Sequence, residues 1–368
     1  MQDVFQKRID FLCRICYYDY AHVCIKGFLS MSVTIKDIAK LAGVSHTTVS
    51  RALNGNPAIP EKTRTMIKEL AAEMGYLPSA TARGLKTHHT QALGVLVSHI
   101  DNPYFGEIVQ GIEDALKDTG YNIFIASSYQ DTRHEKNILQ AFGEHRVEGV
   151  IIGSVPVHQA SYDLLDAYGI PAVVINNQSL RNHRYAVSHD DIYGAREVTR
   201  HLLHLGHTKI AYLGNASASR INHNRLRGFK AELSSSSIDP TPELIQHQPG
   251  SEIENGVKGI TCLLEANAEF SAVFCFNDLM AIGALSVLRA RGIAVPGEIS
   301  VAGFDNIPYS AYTNPPLTTF DQPKREIGAE AARMLLELIH QPVQHNTPFV
   351  KMMRGNLLVR ESTAPRER

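Results

Sequence analysis

The chain has 368 residues, of which 44% are hydrophobic and 20% are charged, and its formal net charge is −1. This is the balance of an ordinary globular protein, and the length suffices for two or three domains. No apolar run reaches the length of a membrane span, and five cysteines are too few for a disulfide framework in a chain of this size. We therefore expect a protein of the reducing cytoplasm.

The charge is distributed unevenly along the chain. Residues 31–89 contain eight lysines and arginines against four acidic residues, whereas residues 90–368 contain 24 basic and 30 acidic residues. A basic amino-terminal part joined to an acidic body indicates that the first domain faces nucleic acid.

The segment before Met31 has neither a clean helical period nor a signal-peptide cleavage pattern. Cys13 and Cys16 form a Cys-x-x-Cys pair, which leaves open a metal site completed by Cys24 or His22. The second cysteine pair that such sites usually have is missing. We interpret Met31 as the natural start and the preceding residues as translated upstream sequence.

Two short helix patterns meet across a glycine in VTIKDIAKLAGVSHTTVSRAL, residues 33–53. Thr34 and Asp37 have the spacing of a capping box, and Gly43 provides the left-handed residue that ends a first helix. Ser45 then caps a second helix, and apolar residues three or four apart turn both helices toward one core. The segment predicts a helix-turn-helix, although an ordinary solvated helical hairpin has the same pattern.

The second helix carries small hydrogen-bonding residues in its first turn and an arginine one turn later, as a helix in the major groove would. The stretch IKDIAKLAGVSHTTVSRALNG closely resembles the DNA-binding headpiece of the lactose-repressor/galactose-repressor (LacI/GalR) family. The resemblance implies that His46 and Thr47 read base edges. It implies phosphate-contacting or supporting roles for Thr34, Ser45, Thr48, Ser50, Arg51 and Asn54.

A third helix pattern opens at Pro60 and ends at Gly75. The following stretch SATARGLK, residues 79–86, could form one and a half helical turns, which would be stable only against a partner. In the LacI/GalR family this stretch is a hinge helix that inserts a leucine between base steps in the minor groove, and Leu85 matches that leucine. Without the resemblance, the stretch is a plain linker.

From Gln91 onward, short continuous apolar runs alternate with helical patterns, as in buried parallel sheets. The predicted strands are 92–97, 121–126, 149–152, 172–175, 210–213, 272–276 and 299–302. The predicted helices lie near 103–119, 133–145, 158–168, 193–205, 222–234, 252–266 and 277–291. Two doubly wound βα units in tandem account for this order.

Sheets of this kind bind ligands at the carboxyl ends of their strands, and two facing sheets form a cleft. The loops at these ends carry carboxylates, amides, an arginine and aromatic side chains, which suit a polyhydroxylated ligand. Any one of them could instead be a strand-end cap or a turn residue. They are Asp101, Tyr104, Phe105, Asn176, Asp190, Arg225, Asn277, Asp278 and Asp305.

The family resemblance continues through HLLHLGHTKIAYLG, NRLRGF, FCFNDLMAIGAL, GEISVAGFDNIPYSAYTNPPLTTFDQP and GNLLVRES. It implies the periplasmic sugar-binding-protein fold, used as an effector core. Asn176 stands where sugar inducers often meet an acidic residue, so the sugar is not specified. The expected effector-binding residues are Phe105, Asn176, Asp190, Arg225, Asn277 and Asp305.

His201, His204 and His207 have a spacing that resembles a metal site, but they spread around a helix and its end, and the family has the same HLxxLGH pattern. We expect a structural role. No glycine-rich phosphate loop follows a strand and no nucleophile elbow is present, so we expect neither a cofactor nor an enzyme. The alternative is an α/β small-molecule-binding protein or hydrolase with an incidental amino-terminal helical domain.

The sequence therefore predicts a dimeric transcriptional repressor that binds a palindromic double-stranded DNA operator, responds to a small sugar-like effector and has no membrane partner. The expected fold is α/β, with an all-α helix-turn-helix headpiece and a two-lobed, periplasmic-binding-protein-like, doubly wound core. The expected parts are an extension at 1–31, the headpiece at 32–77, the hinge at 78–90 and the core at 91–368. Lobe 1 is expected at 91–190 plus 322–350, and lobe 2 at 191–321 plus 351–368.

Overall fold

The computed structural model describes residues 33–76, 89–153, 159–176, 185–217, 219–341 and 349–366. The expectations for the amino-terminal extension and its cysteines, and for the hinge residue Leu85, lie outside these residues. The chain divides into two units, Met1–His88 and His89–Arg368. Each unit is described by itself.

The amino-terminal unit contains the helices Ile35–Ala42 (α1), His46–Leu53 (α2) and Glu61–Glu73 (α3). The Asp37 carboxylate accepts hydrogen bonds from the Thr34 N–H at 2.9 Å and from the Thr34 hydroxyl at 2.6 Å. Gly43 ends α1 at a φ of 66°, and the Ser45 hydroxyl accepts the Thr48 N–H at 3.1 Å. The caps and the turn between the two helices are therefore those that the sequence predicts.

The three helices share one small apolar core. Ile38, Val49, Ala52 and Ile67 are completely buried at its centre. Each of α1, α2 and α3 contributes to this core, which explains why helices of 8, 8 and 13 residues, too short or marginal alone, are stable together. The helix-turn-helix prediction is confirmed.

The second unit alternates strands and helices. Its strands are Ala92–Val97 (β1), Asn122–Ser127 (β2), Gly149–Gly153 (β3), Ala172–Ile175 (β4), Tyr185–His189 (β5), Ile210–Asn215 (β6), Ile245–Gln248 (β7), Ala272–Cys275 (β8), Ser300–Asp305 (β9), Thr318–Asp321 (β10), Phe349–Met353 (β11) and Asn356–Leu358 (β12). Its α-helices are Pro103–Leu116 (α4), Thr132–Glu144 (α5), Gln159–Tyr168 (α6), Asp191–His204 (α7), Ser219–Ser235 (α8), Ile253–Glu265 (α9), Asp278–Ala290 (α10) and Lys324–His340 (α11).

The strands form two six-stranded sheets with equivalent orders, β11-β5-β4-β3-β1-β2 in the first lobe and β12-β10-β9-β8-β6-β7 in the second. The pairs of the first sheet are parallel, whereas β12 joins the second sheet antiparallel to β10. Strands such as β1 and β9 are buried along their whole length because helices cover both faces. The predicted fold class, two doubly wound lobes after a helical headpiece, is confirmed.

The described chain passes between the lobes at three places: after β5, after β10 and after β11. These crossovers contain Asp190, Gln322 and Arg354. The Asp190 N–H donates to the Met353 carbonyl at 3.1 Å, so the first and third crossovers lie side by side.

Two glycines allow α4 and α11 of the first lobe to pack backbone against backbone. A Cβ atom on Gly111 would lie 2.0 Å from the Arg325 carbonyl oxygen, and one on Gly328 would lie 2.0 Å from the Ile108 carbonyl oxygen. Any larger residue at either position would force the helices apart. Because α11 starts directly after the second crossover, this contact joins that crossover to the body of the first lobe.

The histidines near the end of α7 hold the carboxyl-terminal segment. His201 Nε2 lies 2.9 Å from the Thr363 hydroxyl, and the His207 ring lies within hydrogen-bond distance of the Ser271 hydroxyl and the Ala364 carbonyl. Burial lowers the pKa of both rings. In the part of the chain that the structure describes, no helix is long and apolar enough to cross a bilayer.

Candidate functional site

The side chains predicted to read DNA lie on α2, at or near the surface of the headpiece. His46, Thr47 and Arg51 are exposed, while Val49 and Ala52 on the opposite side of the helix are fully buried. A rigid helix that presents its first turn outward has the form required for a helix in the major groove.

Four of the other predicted DNA-contacting residues have side chains that form hydrogen bonds within the headpiece: Thr34, Ser45, Thr48 and Asn54. The Ser45 and Thr48 hydroxyls are 2.8 Å apart, and the Asn54 amide donates to the Ser50 carbonyl at 2.8 Å. The Thr34 hydroxyl donates to Asp37. These residues hold the shape of the motif, and Thr34, Ser45 and Asn54 are also exposed.

In the second unit, a cleft of about 90 Å³ opens at the carboxyl ends of the strands of both lobes. Its walls include five of the six predicted effector residues. These are Phe105 and Asn176 from the first lobe and Arg225, Asn277 and Asp305 from the second. Tyr104, His99, Asn215 and Phe276 also line it.

Arg225 on α8 is the central cation of the cleft. Its Nε donates to Asp191 at 2.9 Å, and one terminal nitrogen lies 3.5 Å from Asp305. The guanidinium also lies over the rings of Phe276 and Phe304, 4.5 and 3.9 Å from their centroids. Burial alone would lower the pKa of Arg225, but Asp191 and Asp305 raise it above its ordinary value.

The two carboxylates beside Arg225 have different surroundings. Burial tends to raise the pKa of Asp191, but His189 and Arg225 outweigh it and the pKa is lowered. Burial raises the pKa of Asp305 despite the opposing effects of Arg225 and Lys324. Asp305 also has a φ of 109°, an unusual conformation for a residue with a side chain, and such strain is often concentrated at binding sites.

Three uncharged side chains connect Asp305 to the first lobe. Gln322 donates through Nε2 to Asp305 at 2.5 Å, and the Tyr104 hydroxyl donates to Gln322 Oε1 at 3.0 Å. The Asn176 amide donates to the Tyr104 oxygen at 2.5 Å. Burial raises the pKa of Tyr104 far above its ordinary value, so this hydroxyl keeps its hydrogen.

Asp190, the sixth predicted effector residue, does not line the cleft. Its carboxylate accepts the Tyr193 N–H at 3.0 Å and caps α7 at the first crossover. The neighbouring Asp191, fully buried, bonds to Arg225 instead. Asp101 is exposed and is also absent from the cleft lining.

Asn277 and Asp278 have structural partners of their own. The Asn277 side chain lines the cleft and also caps α10 by accepting the Met280 N–H at 3.0 Å. Asp278 is fully buried and accepts from the Thr319 hydroxyl at 2.5 Å and the Ile307 N–H at 2.9 Å. Burial, with the nearby Asp305, raises the pKa of Asp278 to about 8. Asp278 therefore fastens strand ends together behind the cleft.

Sequence reasoning missed His189, Asp191 and Gln322, which bond to the predicted residues. Their position at strand ends is the sequence feature that could have identified two of them, since His189 is the last residue of β5 and Gln322 directly follows β10. The strands that precede them are short and partly polar, so they did not stand out as buried runs.

Comparison with known proteins identifies both units. Residues 34–79 match bacterial regulatory proteins of the lacI family, and residues 199–363 match a periplasmic binding protein-like domain. The chain is 34% identical over 330 residues to the HTH-type transcriptional repressor PurR of Aliivibrio salmonicida (strain LFI1238), covering 89% of this chain and 98% of that protein. The chain belongs to the LacI family.

Other LacI-family proteins match over similar lengths. The ribose operon repressor of Haemophilus influenzae (strain ATCC 51907 / DSM 11121 / KW20 / Rd) is 33% identical over 330 residues, which cover 89% of this chain and 98% of that one. The lac repressor dimer bound to operator and the anti-inducer ONPF has a TM-score of 0.79 at 26% identity, covering 90% of this chain and 99% of that chain. A LacI-family regulator from Enterococcus faecium with bound ribose has a TM-score of 0.67 at 29% identity, with 75% and 100% covered.

This LacI-family chain is thus a DNA-binding transcriptional regulator with an effector-binding core. The relatives named above are regulators of transcription rather than enzymes. Among the described residues, no three histidine, cysteine, aspartate or glutamate side chains converge as metal ligands would.

Proposed function

We propose that this regulator is a repressor whose headpieces bind a palindromic operator as a homodimer and whose cleft binds a small sugar-like effector. The observation that carries the proposal is the buried Arg225, which lies between Asp191 and Asp305 at a cleft edged by aromatic side chains, in a chain that also has an exposed recognition helix. A two-fold symmetric dimer reads two equivalent half-sites, which is why the operator is expected to be palindromic.

On the DNA side, the exposed His46 and Thr47 would set base preference. A histidine ring can donate to or accept from a base edge and a threonine hydroxyl can do both, so these two positions can distinguish base pairs in the major groove. The remaining residues would contact phosphates or hold the register, and Leu85 would insert into the minor groove. These are Thr34, Ser45, Thr48, Ser50, Arg51 and Asn54.

On the effector side, the cleft offers what vicinal hydroxyl groups need. Asp305 can accept hydrogen bonds, Arg225 can donate them, and the amides of Asn176 and Asn277 can do both. The rings of Phe105 and Phe276 provide flat apolar surfaces of the kind that pack on a sugar face. The ribose operon repressor and the ribose-bound structure among the relatives favour the same class of ligand.

The experiment is a thermal-shift panel followed by operator binding. D-ribose, other monosaccharides, sugar phosphates and purine bases are added to the full chain, and a ligand of the folded core raises its apparent melting temperature. Each stabilising compound is then titrated against a labelled operator selected from random duplexes. We expect a monosaccharide to stabilise the core and to change operator affinity. If only purines stabilise the core, the effector is a purine and not a sugar, and the proposal of operator binding is unaffected.

Asp305→Ala would establish the sign of regulation. The variant should lose the response to effector while the unliganded protein binds operator as the wild type does, because an effector acts only through its unequal affinity for two states. In a reporter strain, an inducible repressor would then repress permanently, whereas a corepressed one would no longer repress. If the variant binds the effector with unchanged affinity, Asp305 is not part of the site.

A further inference from the structure

Seven buried side chains at the cleft form one closed sequence of polar contacts, which we call the cleft network: Tyr104, Asn176, His189, Asp191, Arg225, Asp305 and Gln322. Each of them is less than a tenth exposed. We propose that His189 carries a hydrogen on both ring nitrogens in this network, and that the resulting imidazolium positions Arg225 for the effector. The inference rests on the proposed function only in taking the cleft as the effector site.

The direction of the hydrogen bonds starts at Asp305. The Asp305 carboxylate lies 3.5 Å from the Arg225 guanidinium and accepts hydrogen bonds there, so the Gln322 group 2.5 Å away is the NH2 end of the amide. The carbonyl end of Gln322 then faces the Tyr104 hydroxyl at 3.0 Å and accepts its single hydrogen. The orientation of the Gln322 amide is thereby determined by its two neighbours.

The orientation of the Asn176 amide follows from the same hydrogen bonds. Because the Tyr104 hydroxyl gives its hydrogen to Gln322, it can only accept from Asn176, whose NH2 group lies 2.5 Å away. The carbonyl oxygen of Asn176 consequently faces His189 Nδ1 at 3.3 Å. An oxygen cannot donate, so this contact is a hydrogen bond only if Nδ1 carries a hydrogen.

The other nitrogen of His189 faces a carboxylate. His189 Nε2 lies 2.7 Å from Asp191 Oδ1, the same oxygen that accepts from Arg225 Nε at 2.9 Å. Nε2 must therefore carry a hydrogen as well. A neutral ring would turn a nitrogen lone pair toward one of these two oxygens inside a buried site, and such a mismatch is costly there.

The charges of the cleft network balance when His189 is a cation. Besides His189, the charged and titratable members of the cleft network are Asp191 at the start of α7, Arg225 on α8, Asp305 at the end of β9 and Tyr104 on α4. Two carboxylates then meet two cations. Lys324 does not upset this balance, because its ammonium group bonds to backbone carbonyls, among them Asp305 O at 2.6 Å, and lies near the carboxylates of Glu107 and Asp321.

This charge gives His189 a positioning role. The ring joins Asn176 at the end of a first-lobe strand to Asp191 at the start of a second-lobe helix, and Asp191 in turn holds Arg225. Loss of one hydrogen would leave Asp191 with less positive charge beside it and would free the Asn176 amide to rotate. The donors that face an effector would then change orientation.

Nitrogen NMR of the full chain labelled at its histidines tests the protonation directly. At about pH 8 an unperturbed histidine is neutral and has one protonated nitrogen. We expect one of the 17 histidines to retain two nitrogen-bound hydrogens at that pH, and we expect this signal to vanish in His189→Gln. If no histidine of the wild type has two hydrogens there, the proposal is overturned, and this result needs no variant.

Tyr104→Phe tests whether the direction of the network is the cause. Without the hydroxyl, Asn176 is free to turn its NH2 group toward His189 Nδ1, so the second hydrogen should be lost at a lower pH than in the wild type. Tyr212→Phe is the matched control, since that buried hydroxyl bonds to Asn222 outside the network. Equal titration of His189 in Tyr104→Phe and the wild type would contradict the proposal.

The pH dependence of stability gives a second measurement. The folded core would hold a proton that the unfolded chain releases at ordinary histidine pH values, so the free energy of unfolding should fall as pH rises from about 6 to about 8. His189→Gln should make this fall smaller and leave the part that the raised pKa of Asp278 contributes, whereas His204→Gln, at the exposed end of α7, should leave the fall unchanged. If the free energy of unfolding decreases with pH in His189→Gln as it does in the wild type, the decrease belongs to other groups and contradicts the proposal.

Titration with D-ribose as the probe connects the network to binding. Its dissociation constant should rise roughly ten-fold across the pH range in which His189 loses its hydrogen, the factor expected for one buried mismatch. A constant affinity across that range would overturn the positioning role. If D-ribose does not bind at any pH, the proposed effector class fails, while the NMR result still decides the protonation of His189.

Discussion

The two proposed binding sites hold their polar side chains in opposite ways. On the recognition helix, His46 and Thr47 are exposed, and the helix beneath them is fixed by an apolar core. In the cleft, Arg225 and Asp191 are buried and bond to each other. The fold of the headpiece therefore does not depend on the side chains that read DNA, whereas in the cleft the side chains proposed to bind the effector also support the core.

The largest effect that this difference predicts is for Arg225→Met. Removing the guanidinium takes a buried positive charge from Asp191 and Asp305, which keep only their bonds to His189 and Gln322 among the contacts described above, and breaking a buried ion pair in this way costs about 3 to 5 kcal/mol. Urea denaturation of the core should show this loss of unfolding free energy. Arg289→Met, at an exposed site on α10, should change stability by at most about 0.5 kcal/mol. Equal stability of the two variants would mean that the cleft charges do not support the core.

His46→Ala and Thr47→Ala should weaken DNA binding without lowering the stability of the fold. Each should weaken binding to the preferred operator by roughly 1 to 3 kcal/mol if a base contact is lost, with little change in the melting temperature, because both side chains are exposed. Affinity is measured on the selected operator and on random duplex at the same salt concentration. Thr65→Ala, an exposed threonine on α3, is the control that should leave both affinities unchanged. Equal weakening on both duplexes would remove these residues from base readout.

A smaller effect is expected where a headpiece residue supports its own helix. Ser45→Ala deletes the hydroxyl that accepts the Thr48 N–H, and loss of such a cap costs about 1 kcal/mol. Amide hydrogen exchange at Thr48 and in the rest of α2 resolves this change from the stability of the core. Protection that is identical to that of the wild type would show that water replaces the cap without cost.

The smallest effect is the loss of headpiece stability at acidic pH, when Asp37 is protonated. The Thr34 hydroxyl and amide hold the pKa of Asp37 below its ordinary value of 3.8. Because the pKa of Asp37 is lower in the folded state, its bonds to Thr34 contribute fully to stability above pH 3.8. This contribution is lost as the pH falls toward the pKa of Asp37 in the folded protein. The protection of the α1 amides against hydrogen exchange, relative to an unfolded chain at the same pH, should therefore decrease in that acidic range in the wild type. Asp37→Asn should exchange faster than the wild type at neutral pH and should lack this pH dependence.

Strongly apolar strands could be predicted from the sequence, and weakly apolar ones could not. β1 and β9 are continuous hydrophobic runs buried between helices, so composition alone marks them. β7 has the sequence IQHQ and lies at a sheet edge, where half of its surroundings are solvent. β10, with the sequence TTFD, is buried, but its threonines bond to neighbours that are more than forty residues away in the chain. Only tertiary pairing identifies such strands.

The site could be predicted to the level of loops, but the choice between neighbouring residues could not. Strand-end position pointed to Asp305 and the family resemblance pointed to Arg225, and the structure brings both to one cleft, Arg225 from within α8. It did not separate Asp190 from Asp191, because the first caps the helix and the second faces inward, and a shift of one residue in the helix start exchanges these roles. The role of Gln322 depends on contacts to both lobes, which no local pattern contains.

The close contact between α4 and α11 has a mechanical consequence. At Gly111 and Gly328 the two backbones meet without a side chain between them, so we expect the two helices to resist sliding past each other and to move as one rigid pair. Gln322 and Lys324 lie at the start of α11 and contact Asp305 at the end of β9. We therefore expect a bound molecule that displaces β9 to move the start of α11 as well, and we expect a methyl group at Gly328, 2.0 Å from the Ile108 carbonyl oxygen, to push the two helices apart.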